Sequence, residues 1–199
     1  MPEANDTGRA LQKVVIWVAG LNLAYFGVEF AVALAIGSVS LFADSIDFLE
    51  DASVNLLIAF ALGLSARNRA RIGMLLAVIL LVPGMATLWT AWGKFWAPAT
   101  PLPLPLTLTG LGALAVNLTC AMMLARFRSH GGSLTKAAFL SARNDAFANV
   151  GIIAAGLMTA LVWQSPWPDL VVGLAIAALN ADAAKEVWEA ARGEHEAAA

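Results

Sequence analysis

The chain has 199 residues, of which 60% are hydrophobic and 13% are charged, and its formal net charge is −2. A soluble domain carries about a quarter charged residues, so this composition excludes a disordered chain and argues against a single soluble domain. The slightly negative charge gives no basic surface for nucleic acid. One cysteine, Cys120, excludes a disulfide framework and a thiolate metal cluster.

Apolar segments in chain order predict six membrane-spanning helices, since each span takes about 20 residues. The predicted spans are 14–36, 39–64, 72–93, 106–124, 137–162 and 169–191. The sixth is clearly apolar only to Leu179 and continues as an amphipathic helix toward Arg192. We therefore expect an N-terminal segment 1–13, a six-span domain 14–191 and a short tail 192–199.

Glycine and proline mark the joints between these spans. Gly37-Ser38 predicts a short turn, and Pro83-Gly84 predicts a kink in span three. Four prolines predict a stiff, extended segment before span four, namely Pro98, Pro101, Pro103 and Pro105. Prolines at 166 and 168 end the fifth span.

The distribution of lysine and arginine predicts the orientation in the bilayer. Ten of the twelve basic residues fall on the side of both chain ends, while Lys94 falls on the other side and Arg143 lies inside a span. Both termini are therefore expected in the cytoplasm, with the protein in the cell's inner (plasma) membrane. Tryptophans predicted at the outer boundary fit an interfacial belt; they are Trp92, Trp96, Trp163 and Trp167.

Span two carries four acids within eight residues. Each charge at the bilayer centre costs about 2.5–3.5 kcal/mol, so these side chains must face the bundle interior or water. The residues that share one helical face are Asp44, Asp47, Asp51 and Asn55. Asp47 and Asp51 lie one turn apart and could chelate a cation, or could be buried acids satisfied by serines, asparagines or Arg143. Glu50 lies roughly 100° from Asp51 and is expected to point elsewhere.

Span five supplies a matching polar face, formed by Ser141, Asn144, Asp145 and Asn149. Arg143 is expected on the opposite side, reaching the interface. The segments that begin at Asp51 and Asp145 both read D-A-x-x-N, on spans predicted to run in opposite directions. This indicates an inverted repeat, which typically places a substrate site at the repeat interface near mid-membrane.

These motifs resemble the cation diffusion facilitator family of divalent-metal transporters. The resemblance is carried by the segments 37–45 at the entry to span two and 22–29 on span one. It implies an all-α bundle of six spans with cytoplasmic termini, in which a residue pair on span two faces a pair on span five. Four side chains then hold the metal, which is exchanged against protons. Asp47 and Asp51 match the first pair, and Asp145 matches the second aspartate of the other.

The sequence departs from this family at three points. Ser141 stands where the family has histidine or aspartate, and Asn144 or water is expected to fill the gap. The loop between spans four and five contains only His130. Only a short tail is expected after span six, without the cytoplasmic domain that usually follows in the family, so we expect a short form.

The predicted ligands are oxygen atoms, from Asp47, Asp51, Asp145, Ser141 and Asn144. A hard oxygen site favours manganese, iron, cobalt or magnesium over zinc, although carboxylates also bind zinc. Because ligating carboxyls must be deprotonated, metal binding is expected to displace protons. This predicts export from the cytoplasm by metal/proton antiport. The expected partners are the bilayer, the ion, protons and a second copy of the chain, with no resident cofactor.

Other polar residues of the spans are candidates for a cavity lining or a proton pathway: Asn22, Glu29, Asp44, Asn55 and Asn149. Glu29 could equally be a protonated residue hydrogen-bonded in the bundle. A non-transporting accessory or metal-responsive subunit is the competing function, supported by Ser141 and the missing domain. An intramembrane hydrolase is disfavoured because the chain lacks an activated nucleophile, so we do not expect an enzyme.

Overall fold

The computed structural model describes residues 2–61, 71, 85, 87–127 and 132–197. Over these residues the protein is all-helical and contains no strand, which confirms the predicted fold class. The helices are α1 (Pro2–Ile36), α2 (Val39–Ala61), α3 (87–96), α4 (Pro103–Ala125), α5 (Gly132–Leu161) and α6 (Trp167–Ala197). Most of predicted span three, its Pro83-Gly84 kink and His130 lie outside the described residues.

Within the described residues, three helical segments are long and apolar enough to cross a membrane: Gly8–Ile36 of α1, all of α4, and Ser141–Leu161 of α5. The apolar part of α6, Trp167–Ala181, is shorter, as its sequence predicts. Helix α2 has 23 residues and carries the four acids. Its acidic face must therefore pack against other helices and not against lipid.

The proline-rich segment before α4 is partly helical, so the expectation of an extended segment through Pro105 is wrong. Helix α4 begins at Pro103 and includes Pro105, while residues 98–102 are not helical. Proline is compatible with the first helical turn because the backbone N–H groups there have no partner within the helix.

The helices pack mainly in sequential pairs, α1 along α2 and α4 along α5. Helix α1 also contacts α4, and α6 packs against α2 and α5. Gly37 joins α1 to α2 with φ of 64°, a left-handed conformation that glycine adopts without strain. We call the end of the bundle that carries this turn the turn end, and the opposite end, which carries both chain termini, the terminal end.

Two buried apolar clusters lie at different heights in the bundle. The terminal-end cluster consists of Val15, Val18, Ala59, Cys120, Ala121, Leu124, Ala138 and Ala142. The turn-end cluster consists of Ala33, Leu41, Phe42, Ala43, Ile46, Leu106, Ile152 and Ile176. Polar residues of α2 and α5 lie at heights between these clusters, so the functional candidates occupy the middle of the bundle.

Candidate metal site

A cavity of about 290 Å³ opens between α2, α5 and α6. Its lining residues are Asp47, Glu50, Asp51, Ser141, Asn144, Asp145, Ala148, Ile176, Leu179 and Asn180. Four of these ten side chains are acidic and none is basic. The cavity therefore offers an electronegative, oxygen-rich environment, which suits a hard divalent cation.

The structure places all five predicted ligand residues on the wall of this one cavity. Asp47 and Asp51 project from successive turns of α2, and they are only 9% and 4% exposed. The Ser141 hydroxyl of α5 donates a hydrogen bond of 2.9 Å to Oδ1 of Asp51. The inverted repeat and the family resemblance predict that the polar faces of α2 and α5 meet, and this hydrogen bond is a direct contact between them.

The carboxylates share the cavity without forming a compact cluster. Within the part of the chain that the structure describes, no group of three or more histidine, cysteine, aspartate or glutamate side chains is close enough to hold one ion. Joint coordination by Asp47, Asp51 and Asp145 therefore stays a prediction. It requires the side chains, or α2 and α5 themselves, to approach one another around the ion.

Glu50 also lines the cavity, so the expectation that it points elsewhere is wrong. The physical reason is that the cavity is bounded by two neighbours of α2. Helix α5 lies on one side and α6 on the other, and residues about 100° apart on α2 can both reach the space between them.

Helix α6 contributes three wall residues that the sequence analysis did not identify, Ile176, Leu179 and Asn180. The Asn180 side-chain amide donates to the backbone carbonyl of Ala43 at 3.4 Å, which ties α6 to α2. An amide after the apolar run of a predicted span is the signal that could have identified this residue.

Asp44 and Asn149, predicted for a cavity or proton pathway, do not line the cavity. Both are fully buried, and the Asn149 side-chain N–H donates to Oδ2 of Asp44 at 2.6 Å. Asn117 of α4 donates to Oδ1 of Asn149 at 3.1 Å. These three side chains form a hydrogen-bonded chain across α2, α5 and α4.

Asn22, Glu29 and Asn55 are also buried in the bundle, each at most 1% exposed. The Asn55 amide donates to the backbone carbonyl of Asp51 at 2.8 Å. Six buried polar atoms have no hydrogen-bond partner among the described residues: both polar side-chain atoms of Asn22, both carboxyl oxygens of Glu29, Oδ1 of Asp44 and Oδ1 of Asn55. Most buried polar groups in proteins have a hydrogen-bond partner, so a set of six such atoms without one is unusual.

Arg143 lies outside the cavity wall and is exposed. Its guanidinium donates to the side-chain oxygen of the adjacent Asn144 at 3.3 Å. Arg143 is thus exposed and is not a wall residue, but it contacts Asn144 on that wall, so its expected position on the opposite side of α5 stays a prediction.

Comparison with known proteins adds one positive finding. Residues 15–192 match the family model of the cation efflux transmembrane domain. The matched range includes every residue that lines the cavity. No curated protein matches the chain.

Proposed function

We propose that this chain, which belongs to the cation efflux family, exports a divalent metal ion from the cytoplasm in exchange for protons. The cavity between α2, α5 and α6 is the proposed binding site. The observation that carries the proposal is the presence of four carboxylates on the wall of one cavity in the middle of a bundle of apolar helices. Acids inside membrane spans commonly mark ion pathways.

The proposed ligands are the carboxylates of Asp47, Asp51 and Asp145, with neutral oxygens from Ser141 and Asn144. Ser141 already contacts the Asp51 carboxylate, which places a hydroxyl oxygen beside the carboxylate of a neighbouring helix. An all-oxygen set favours manganese, iron or cobalt and remains compatible with zinc. The ion is the transported substrate in this proposal.

Proton coupling follows from competition for the same oxygens. A carboxyl that binds the metal must be deprotonated, so the ion and protons exclude each other. Three aspartates around one divalent ion leave a net charge of −1. A proton route is proposed along the hydrogen-bonded side chains of Asn117, Asn149 and Asp44 and the nearby carboxyl of Glu29. These groups cross the bundle beside the cavity.

The proposed orientation places both termini in the cytoplasm and the turn end outside. Four turn-end tryptophans are exposed by 44% to 70%, as an interfacial belt requires: Trp92, Trp96, Trp163 and Trp167. We expect the inner (plasma) membrane as the location and a homodimer as the assembly. Native mass spectrometry from detergent would measure the assembly directly.

Uptake into proteoliposomes tests the function. The purified full chain is reconstituted with a pH-sensitive dye trapped inside, and zinc, manganese, iron, cobalt and magnesium are added under an imposed pH gradient. The expected result is metal flux that is accelerated by the gradient and accompanied by opposing proton movement. Flux without proton movement at several pH values would leave a uniporter and contradict the antiport mechanism.

A non-transporting, metal-responsive subunit is the competing function. It is favoured by the neutral Ser141 and by the absence of a compact three-acid cluster among the described residues. This alternative predicts metal binding by calorimetry with no flux in sealed vesicles. Transport predicts both.

A further inference from the structure

A second buried carboxylate lies at the turn end, away from the metal cavity. Asp169, near the start of α6, has no exposed surface. Its Oδ1 accepts hydrogen bonds from the hydroxyls of Ser38 and Ser40 at 2.6 and 2.7 Å and from the Ser40 N–H at 3.2 Å. Its Oδ2 accepts from the Val39 N–H and from the Lys94 ammonium, both at 2.9 Å.

These bonds make Asp169 a cap for a different helix. The free N–H groups at the start of α2 point at an α6 carboxylate, and the positive end of the α2 dipole favours its negative charge. Lys94 of α3 completes the arrangement, since it also donates to the carbonyl of Gly37. One side chain therefore holds the starts of α2 and α6 and the described part of α3 together.

The same three helices are also in close apolar contact. Val39, Leu170 and Ala91 form a small buried cluster beside Asp169. At Gly173, a Cβ atom would lie only 2.7 Å from the carbonyl carbon of Val39, so α6 packs directly on the α2 backbone. We call this set of contacts among Asp169, Lys94, residues 38–40 and Gly173 the seam.

The seam lies on the turn-end side of the metal cavity. Ser40 precedes Asp47 by seven residues on α2, and Asp169 precedes Ile176 by seven residues on α6, so each offset is about 10 Å. The turn-end apolar cluster fills part of this height, and its Ala43 is completely buried. The seam and this cluster separate the cavity from the turn end.

We propose that Asp169 is a positioning residue of the transport cycle, whose bonds hold the turn end closed and must break for the ion to leave there. The inference rests on the transport function and orientation proposed above. A charged seam suits a reversible contact, because its groups can exchange their bonds for bonds to water when they open at the membrane surface. Buried ion pairs contribute little net stability compared with apolar packing, so stability alone does not explain one here.

The test measures whether the space behind the seam becomes accessible from the turn side. A reporter cysteine replaces Ala43 in a Cys120→Ala background of the full chain, and a membrane-impermeant maleimide is applied to proteoliposomes from each side separately. Flux of the reporter protein is measured in parallel. With the seam intact, labelling from the turn side is expected to be slow.

Asp169→Asn removes the charge and places an amide N–H against donors, and Lys94→Met removes the cation while keeping a stem of similar length. Each is expected to raise the turn-side labelling rate at least about tenfold, which corresponds to about 1.4 kcal/mol in the equilibrium between closed and open states. Gly173→Ala, which forces α2 and α6 apart, is expected to act in the same direction. Labelling from the terminal side is expected to stay unchanged or fall.

Ser165→Ala is the matched control. Ser165 is buried two residues before α6 and accepts a hydrogen bond from the Trp167 N–H at 3.3 Å; among the described residues its side chain makes no hydrogen bond to α2 or α3. Its replacement weakens the start of α6 without breaking the Asp169 bonds, and turn-side labelling is expected to change by less than about twofold.

Unchanged turn-side labelling in Lys94→Met overturns the inference, as does an equal rise from both sides, which would indicate general loosening. If Asp169→Asn does not fold, Lys94→Met and Gly173→Ala decide the question. The two proposals fail differently. A reporter protein that transports normally but shows no seam effect refutes only the seam, whereas a wild-type chain without flux refutes the transport function and the seam role that rests on it.

Discussion

The acidic cavity between α2, α5 and α6 and the seam both contain buried aspartates, yet these carboxylates have very different partners. Asp169 accepts five hydrogen bonds, and one of them comes from a lysine ammonium. The Asp51 carboxylate accepts one hydrogen bond from the described residues, donated by the Ser141 hydroxyl, and lies on the wall of a cavity. A saturated carboxylate holds helices together, whereas a carboxylate with free lone pairs can bind an ion.

The difference also shows where charge is neutralised. At the seam, Lys94 offsets the Asp169 charge within 2.9 Å. The described residues of the cavity wall include four acids and no cation, so a divalent substrate would supply a positive charge there. If the two proposals hold, removal of a carboxylate has different consequences in the two regions: loss of metal binding at the cavity, and loss of stability and closure at the seam.

The largest expected effect is on uptake. Asp47→Asn, Asp51→Asn and Asp145→Asn each keep the side-chain shape and remove a charged ligand, so each is expected to lower metal uptake at least about 100-fold. The proteins should remain inserted and folded, as judged by size-exclusion chromatography. Normal transport by Asp145→Asn would show that Asp145 is not a ligand and that this assignment on α5 is wrong.

The second largest expected difference between the cavity and the seam is in the free energy of unfolding. Asp169→Asn leaves Lys94 buried without its counter-charge, and breaking a buried ion pair costs about 3–5 kcal/mol. Asp51→Asn removes one uncompensated charge. It is expected to lower the free energy of unfolding by less than about 1 kcal/mol, or to raise it. Unfolding in detergent at several temperatures measures both. Equal losses in the two variants would remove the distinction between the regions.

Ser141 offers a gain of function at the cavity. Ser141→Asp or Ser141→His adds a fourth strong ligand beside Asp51, and we expect metal affinity to tighten about tenfold, with the imidazole shifting preference toward zinc. Tighter binding slows release, so turnover is expected to fall as affinity rises. Calorimetry with zinc, cobalt and manganese checks this. Unchanged affinities in both variants would show that position 141 supplies no ligand.

The smallest expected effect is at Glu50. It lines the cavity without belonging to the predicted ligand set, so Glu50→Gln should weaken binding only through loss of a nearby negative charge. We expect a change of about two- to fivefold that diminishes at high ionic strength. A loss as large as that of Asp51→Asn would place Glu50 among the ligands.

Proton competition gives a further way to distinguish the two regions. Metal affinity at the cavity is expected to weaken as pH falls, because protons and the ion compete for the same carboxylates. Calorimetry in buffers of different ionisation enthalpy counts the protons released. Asp169→Asn should release the same number as the wild type, since the seam supplies no ligand.

The α2 and α5 faces illustrate what could be predicted locally. Helical periodicity alone put Asp47 beside Asp51 and Ser141 beside Asp145, and the cost of charge in a bilayer required both faces to turn inward. The structure places them on one cavity. Glu50 was assigned wrongly because periodicity describes one helix, whereas the width of a cavity depends on its neighbours.

The seam illustrates contacts that helical periodicity cannot predict. Asp169 looks like an ordinary acid at a helix start, and its partners Lys94 and Ser38 are 75 and 131 residues away along the chain. The charge count did single out Lys94 as the only basic residue predicted at the outer boundary. The buried ion pair with Asp169 supplies a physical reason for a cation at that position.

The sequence by itself determined the all-helical membrane architecture, the family and the acidic face of α2, because composition, helical period and the cost of burying charge are local properties of the chain. Only the tertiary structure decided which carboxylates are saturated and which remain free. That distinction depends on donors from other helices, so Asp169 and Asp51 acquire different roles only when α2, α3, α5 and α6 pack together.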